Sequence, residues 1–199
     1  MADDDDNTDK KVKIYQTTEK AVTYDIYPGE TIESSEDFYD LLDLLNRARS
    51  WDHFRFHLNN FGGDLHATMQ LIYALRETDA NVTMIIEGHV YSAASILALC
   101  GNQVLQVNPQ SVMMFHDYST FEGGKGNEVA RSSNSFQEFF EDFMVDTCYP
   151  FLTKGELKSI LRGEDLNIHY KTRVDPLTTK KVIGIKERLE KLNHKRKSK

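Results

Sequence analysis

Cysteine is scarce in this 199-residue sequence. Cys100 and Cys148 cannot build a disulfide framework, and neither has Cys or His neighbours at metal-ligand spacing. Both read as reduced core thiols. Long apolar runs are missing too: none approaches the roughly 18 residues of a membrane span. The opening MADDDDNTDKK is acidic where a secretory leader needs a basic start. A cytoplasmic protein with no membrane partner is therefore expected by elimination. Positive charge is in deficit, with a net charge of -7. That argues against general nucleic-acid binding, which needs a basic surface to neutralise phosphate. Proline is rare, and the 40% hydrophobic content is too high for a disordered chain. No Gly-Lys-Ser or Gly-Lys-Thr phosphate loop occurs, and Gly123-Gly124-Lys125-Gly126 lacks the strand-loop-helix frame of one.

What is present suits one domain with a substantial core. Charge gathers at the ends. The first nine residues hold five Asp, and Ile185 to Lys199 hold seven Lys or Arg against two Glu, so both ends read as solvated tails. Val182, Ile185, Leu189 and Leu192 keep helical spacing within the basic end. Between the tails, strand and helix periods alternate. Ala21–Tyr27 reads as a strand, and Ser34 or Ser35 caps a helix carrying Phe38, Leu41, Leu42 and Leu45. His53–Leu58 alternates apolar and polar, and a helix bearing Leu65, Met69 and Ile72 follows. Val82–Ile86 is a short strand broken by Gly88, and Ser92–Cys100 is small, apolar and helix-compatible. Val104–Val107 and Val112–Phe115 are further strands. Such alternation predicts a mainly parallel sheet covered by helices. A long helix over Asn127–Tyr149, with Phe136, Phe139, Phe140, Phe143 and Met144 as an apolar stripe, and a shorter one over Lys154–Leu161 are predicted to project from the sheet, toward another subunit.

Chemistry concentrates at three turns. In Asn59-Asn60-Phe61-Gly62-Gly63, two glycines at a strand end let backbone N–H groups approach a ligand. In Gly88-His89-Val90-Tyr91-Ser92-Ala93-Ala94-Ser95, a serine stands where a buried strand meets a helix of small residues. Such a turn exposes a hydroxyl beside the first N–H groups of the helix, although an isolated serine there is more often only an N-cap. His116 ends the strand Val112–Phe115. Ligands of open α/β sheets gather at the carboxyl ends of strands, where the three turns converge.

These segments resemble a family, the proteolytic subunit of the Clp ATP-dependent serine protease. Asn59-Asn60-Phe61-Gly62-Gly63 is similar to that family's Asn-Ser-Pro-Gly-Gly turn, and Gly88-His89-Val90-Tyr91-Ser92-Ala93-Ala94 to its nucleophile segment Gly-Gln-Ala-Ala-Ser-Met-Gly. Asn108-Pro109-Gln110-Ser111-Val112-Met113-Met114-Phe115-His116 resembles its histidine-bearing segment. Glu122-Gly123-Gly124-Lys125-Gly126 resembles its Gly-rich, peptide-lining strand, and the Phe-rich helix its ring-joining handle. The resemblance spans about residues 21–165. It implies an α/β, Clp/crotonase-like fold of repeated β-β-α units, spiral in form, with a mostly parallel sheet and a protruding helical handle over about 127–150. The domain would occupy 19–175, between an acidic flexible segment 1–18 and a basic tail 176–199.

Carried over residue by residue, the resemblance makes Ser92 the nucleophile, His116 the general base, and Gly63 and Ala93 the oxyanion-hole donors. Gly123 and Gly124 would bind substrate. The third catalytic residue is less direct: ungapped alignment reaches Gly163, and a two-residue loop shift brings in Asp165, chosen here, with Glu164 next to it. Asp117 follows His116 directly and is expected to point away from the imidazole. The implied protein is a homo-oligomer of stacked rings acting on peptides or proteins. It has no metal or organic cofactor, and ATP is used only by a separate AAA+ unfoldase. Several residues depart from the family. Phe61 replaces a proline, Tyr91 precedes the serine where the family is small, and Arg55 and His57 occupy a strand where the family places docking aromatics. The usual C-terminal signature is missing from Lys171 onward. These departures describe a divergent member of the kind carried by a phage or plasmid. A non-catalytic ring or regulatory subunit, a capsid-maturation protease and a crotonase-type acyl-CoA enzyme are the alternative readings.

Overall fold

The strict alternation of His53-Phe54-Arg55-Phe56-His57-Leu58 makes a strand with two unlike faces. The computed structural model describes residues 12–18, 21–103, 105–119 and 123–169. In it this segment forms the first six residues of strand β3 (His53–Asn60), and Phe54, Phe56 and Leu58 have no exposed surface. Each such side chain contributes about 1.5–3 kcal/mol through burial. Strands β1 (Lys13–Thr18), β2 (Val22–Tyr27), β4 (Asn81–Tyr91), β5 (Gln106–Val107), β6 (Val112–Phe115) and β7 (Leu166–His169) complete one sheet. Its order is β1-β2-β3-β4-β6-β7, with β5 beside β4. The central pairings β2–β3, β3–β4, β4–β5 and β4–β6 are parallel, and only the outer ones, β1–β2 and β6–β7, are antiparallel.

Among the described residues five α-helices supply the crossovers and cover. Ser34 caps a 3-10 turn over Ser35–Phe38 by accepting from the Glu36 N–H, and α1 (Tyr39–Arg47) continues it, burying Leu41 and Leu45. Helix α2 (Leu65–Glu77) starts at Asp64, whose side chain accepts from the Ala67 N–H, and buries Leu71, Ile72 and Leu75. Helix α3 (Ala93–Leu97) is wholly buried, as its small apolar residues require. Helix α4 (Gly126–Cys148) and α5 (Lys154–Ile160) follow, the latter opened by a capping box between Thr153 and Glu156. Among the described residues no helix is long and apolar enough to cross a membrane.

Several expectations change. Lys13–Thr18, assigned from sequence to the flexible acidic segment, pairs along its length with β2. Gly88 does not break β4, which runs on to Tyr91. A Cβ there would lie 2.4 Å from Asn59 Oδ1, so the missing side chain admits Asn59 against the strand. The expected strand Val104–Val107 shrinks to Gln106–Val107, with Val104 outside the described residues. Gly123, Gly124 and Lys125 form no strand, and Gly126 already opens α4. The Phe stripe is mostly satisfied within the chain: Phe140, Phe143 and Met144 are buried, leaving Phe139, Val145 and Tyr149 exposed. Strand β7 had no counterpart in the sequence reading, because a four-residue alternation after Gly-Glu-Asp carries too little signal. The amphipathic pattern Val182–Leu192 and the tail 176–199 lie outside the described residues.

Candidate active site

The three turns meet because β3, β4 and β6 are parallel neighbours that end together. Tyr91 pairs with Met114, so the turn after β4 falls beside the end of β6. Ser92 occupies that turn with φ 57 and ψ -131, the one non-glycine positive φ among the described residues. Such a conformation costs on the order of 1–3 kcal/mol, so its surroundings must impose it. They do: the Ser92 N–H donates to Met114 O at 2.8 Å, and the Ser92 carbonyl accepts from the Ser95 N–H at 2.9 Å. A sharp strand-to-helix turn of this kind lifts a hydroxyl out of the sheet. That hydroxyl caps no helix N–H. It lies 2.7 Å from Nε2 of His116.

The other ring nitrogen settles the direction of that bond. Nδ1 of His116 faces the backbone carbonyl of Asp117. A carbonyl only accepts, so Nδ1 carries the proton, and in the neutral ring Nε2 is left to accept from Ser92 Oγ–H. Ser95, three residues on, has no such freedom: its buried hydroxyl donates within reach of both Val90 O, at 2.6 Å, and Met114 O, at 2.8 Å. It ties the strand ends together and leaves the half-buried Ser92 as the hydroxyl that faces His116.

The glycine turn stands against this pair. Gly62 and Gly63 have φ of 87 and 141. A Cβ at Gly63 would sit 2.0 Å from Ile32 O, and one at Gly62 would sit 2.7 Å from Ser92 Cβ, so the turn presses on both neighbours. Ile32 donates to Gly62 O at 2.8 Å and accepts from the Asp64 N–H at 2.7 Å. Both bonds flank Gly63, whose own N–H therefore points away from Ile32. The Ala93 N–H, first in α3, has no acceptor within its helix. The buried Asn60, whose role was not foreseen, locks the turn by accepting from the Gly62 N–H at 2.7 Å and donating to Gly29 O at 2.9 Å. An asparagine two residues ahead of Gly62-Gly63 was the available signal.

A cavity of about 410 Å³ opens in front of these groups, lined by Gly63, Ser92, Ala93 and His116 on one side and by Asp64, His66, Asp117, Tyr118, Phe136 and Phe140 among others. Gly123 and Gly124 do not line it. Asp165 is exposed at the start of β7. The β6–β7 ladder ends at Phe115 opposite Leu166, so one further step of register would set Asp165 opposite His116, and a second would set Glu164 opposite Asp117. Among the described residues no hydrogen bond joins either carboxylate to His116, whose Nδ1 is engaged by Asp117 O. The side chain of Asp117 does turn away, with Oδ1 accepting from the Tyr118 N–H at 2.9 Å, but its main chain does not.

On the outer face of the sheet, Arg55 grips Asp25 through two bonds of 2.6 Å. His57 lies between Asp25 at 3.1 Å and Glu87 at 2.7 Å. The departures at Arg55 and His57 thus belong to one charged cluster. Arg55 donating to Asp25 is the main cause that holds the carboxyl below its ordinary value.

The family model of the Clp proteases matches residues 6–160, and the chain belongs to that family. The mostly parallel sheet and its helices agree with a Clp/crotonase-like α/β fold. No curated protein matches the chain.

Proposed function

We propose that this Clp-family protein is a serine endopeptidase in which Ser92 attacks the peptide carbonyl and His116 takes its proton. The observation that carries the reading is the 2.7 Å approach of His116 Nε2 to an otherwise unengaged Ser92 hydroxyl at the mouth of a cavity. Ser92 Oγ forms a bond to the carbonyl carbon while its proton passes to Nε2. The N–H groups of Gly63 and Ala93 hold the developing oxyanion. His116 returns the proton to the leaving amine, and water, activated by the same imidazole, releases the acyl group. Asp165 is proposed as the orienting carboxylate, reached by a small movement of the chain ahead of β7. Gly123 and Gly124 are proposed to contact the peptide main chain ahead of α4. No metal or organic cofactor enters the mechanism. A ring of copies in the cytoplasm, fed by a separate AAA+ unfoldase, is the assembly that family membership suggests.

Exposure to a fluorophosphonate followed by intact mass measurement tests this. One adduct on the assembled protein that is lost in Ser92→Ala supports an activated serine, and no adduct on a folded oligomer overturns it. One observation favours a second reading. Among the described residues His116 Nδ1 is bonded to a main-chain carbonyl and to no carboxylate, as suits a weakly active ring-building or regulatory subunit.

A further inference from the structure

The wall of the cavity facing Ser92 combines features that an apolar side-chain pocket does not need. Tyr118, Phe136 and Phe140 form an aromatic lining, with Tyr118 set edgewise to Phe136 at 4.8 Å and to Phe140 at 5.1 Å between ring centroids. Such a lining suits a long aliphatic stem. Two acidic residues, Asp64 and Asp117, line the same cavity, and among the described residues no Lys or Arg does. Each is held through one oxygen: Asp64 Oδ1 accepts from the Ala67 N–H at 2.6 Å, and Asp117 Oδ1 accepts from the Tyr118 N–H at 2.9 Å. The second oxygen of each has no hydrogen-bond partner among the described residues. A pocket with an aromatic wall and two acidic residues favours a side chain with an apolar stem and a cationic end. A neutral aliphatic residue would cover the aromatic faces but offer no partner to either carboxylate.

We propose that the residue on the acyl side of the scissile bond is a lysine or arginine, its stem against Tyr118 and Phe136 and its charge between Asp64 and Asp117. The inference rests on the peptidase reading above. The carbonyl under attack must lie against Ser92, Gly63 and Ala93, so the side chain one bond behind it enters the cavity these groups border. Acidic side chains at that position are repelled by both aspartates.

The test uses the assembled full-length chain with matched fluorogenic peptides ending in Lys, Leu or Glu before the reporter group, alongside fluorophosphonate labelling of the same samples. Lys is expected to exceed Leu in kcat/KM by about tenfold, with Glu lowest. Asp64→Asn and Asp117→Asn keep an acceptor oxygen for the Ala67 and Tyr118 N–H groups and remove only charge. Each is expected to lower the Lys-to-Leu ratio several-fold, a shift in preference that general loss of structure does not produce. A labelled enzyme that cleaves after Leu as well as after Lys overturns the inference and leaves the peptidase reading standing. A Lys preference that survives both substitutions overturns the assignment to these carboxylates. Absence of labelling overturns the peptidase reading and the inference with it.

Discussion

His116 Nε2 approaches Ser92 Oγ to 2.7 Å across 24 residues of sequence. The contact is a product of sheet order: β4 and β6 run parallel, Tyr91 pairs with Met114, and the Ser92 N–H is anchored on Met114 O. Ser92 is thereby forced into its positive-φ turn at the point where the chain two residues past Met114 carries an imidazole.

Replacement of the two serines separates chemistry from architecture. Ser92→Ala is expected to abolish the fluorophosphonate adduct while leaving the melting temperature unchanged or slightly raised, since it deletes no capping bond. Ser95→Ala removes a buried donor shared by two strand-end carbonyls and is expected to lower stability by about 1–3 kcal/mol. Intact mass and thermal unfolding on both variants check the pair.

The orienting carboxylate is separable in the same way. Asp165→Asn is expected to lower kcat by about 10²–10⁴, through loss of control over the imidazole. Glu164→Gln, one register step away, is expected to change it less than twofold. Equal effects of the two substitutions, or none from Asp165→Asn, would assign the orienting role to the Asp117 carbonyl alone.

The glycine turn is expected to tolerate no side chain. Gly63→Ala places Cβ 2.0 Å from Ile32 O, against backbone that cannot swing aside, and Asn60→Ala strips the Gly62 N–H and Gly29 O of their partner. Each should cost on the order of 2 kcal/mol or more of stability. Denaturant unfolding measures this, and a Gly63→Ala protein as stable as wild type would contradict the close approach.

The Asp25–Arg55 pair has a pH signature. Asp25 is held below its ordinary value of 3.8, chiefly by hydrogen bonds from Arg55. Its stabilisation is therefore complete above that pH and is lost as pH falls through the lower folded-state value. Asp25→Asn is expected to cost about 1 kcal/mol at neutral pH, limited by the 43% exposure of Arg55. The gap from wild type should close progressively below about pH 4 in melting curves taken across the acid range.

Both thiols are expected to resist alkylation while the protein is folded. Burial pushes Cys100 up to about 12 and raises Cys148 further, and thiolate is the reactive species. Iodoacetamide at pH 8 should add nothing to the native protein and two groups to the unfolded one.

Much of the fold was legible from local pattern. Strands β2, β3 and β4 and the helices at Tyr39, Leu65, Gly126 and Lys154 carry clear runs of one period, β6 is a continuous apolar run after a turn, and two glycines after Asn60 and Phe61 mark another. Legibility failed where pattern was short or shared. Gly88 reads as a breaker in isolation but serves as the gap into which Asn59 fits, and β1 was hidden by the acidic residues before it. The Phe stripe of α4 was legible as apolar, yet its main cover proved to be the chain's own core.

By itself the sequence determined the alternating α/β order and the residue types at the three turns, because hydrophobic period and glycine placement are local properties of the chain. Only the tertiary structure decided that Ser92 is strained and turned to His116 while Ser95 is buried and bonded to strand-end carbonyls. It also decided that His116 turns Nδ1 to a neighbouring carbonyl, and that Asp64 and Asp117 share a cavity with Tyr118 and Phe136. Each of these depends on strand register and on which groups compete for a hydrogen bond. A register is chosen by the whole sheet and cannot be read from any one strand.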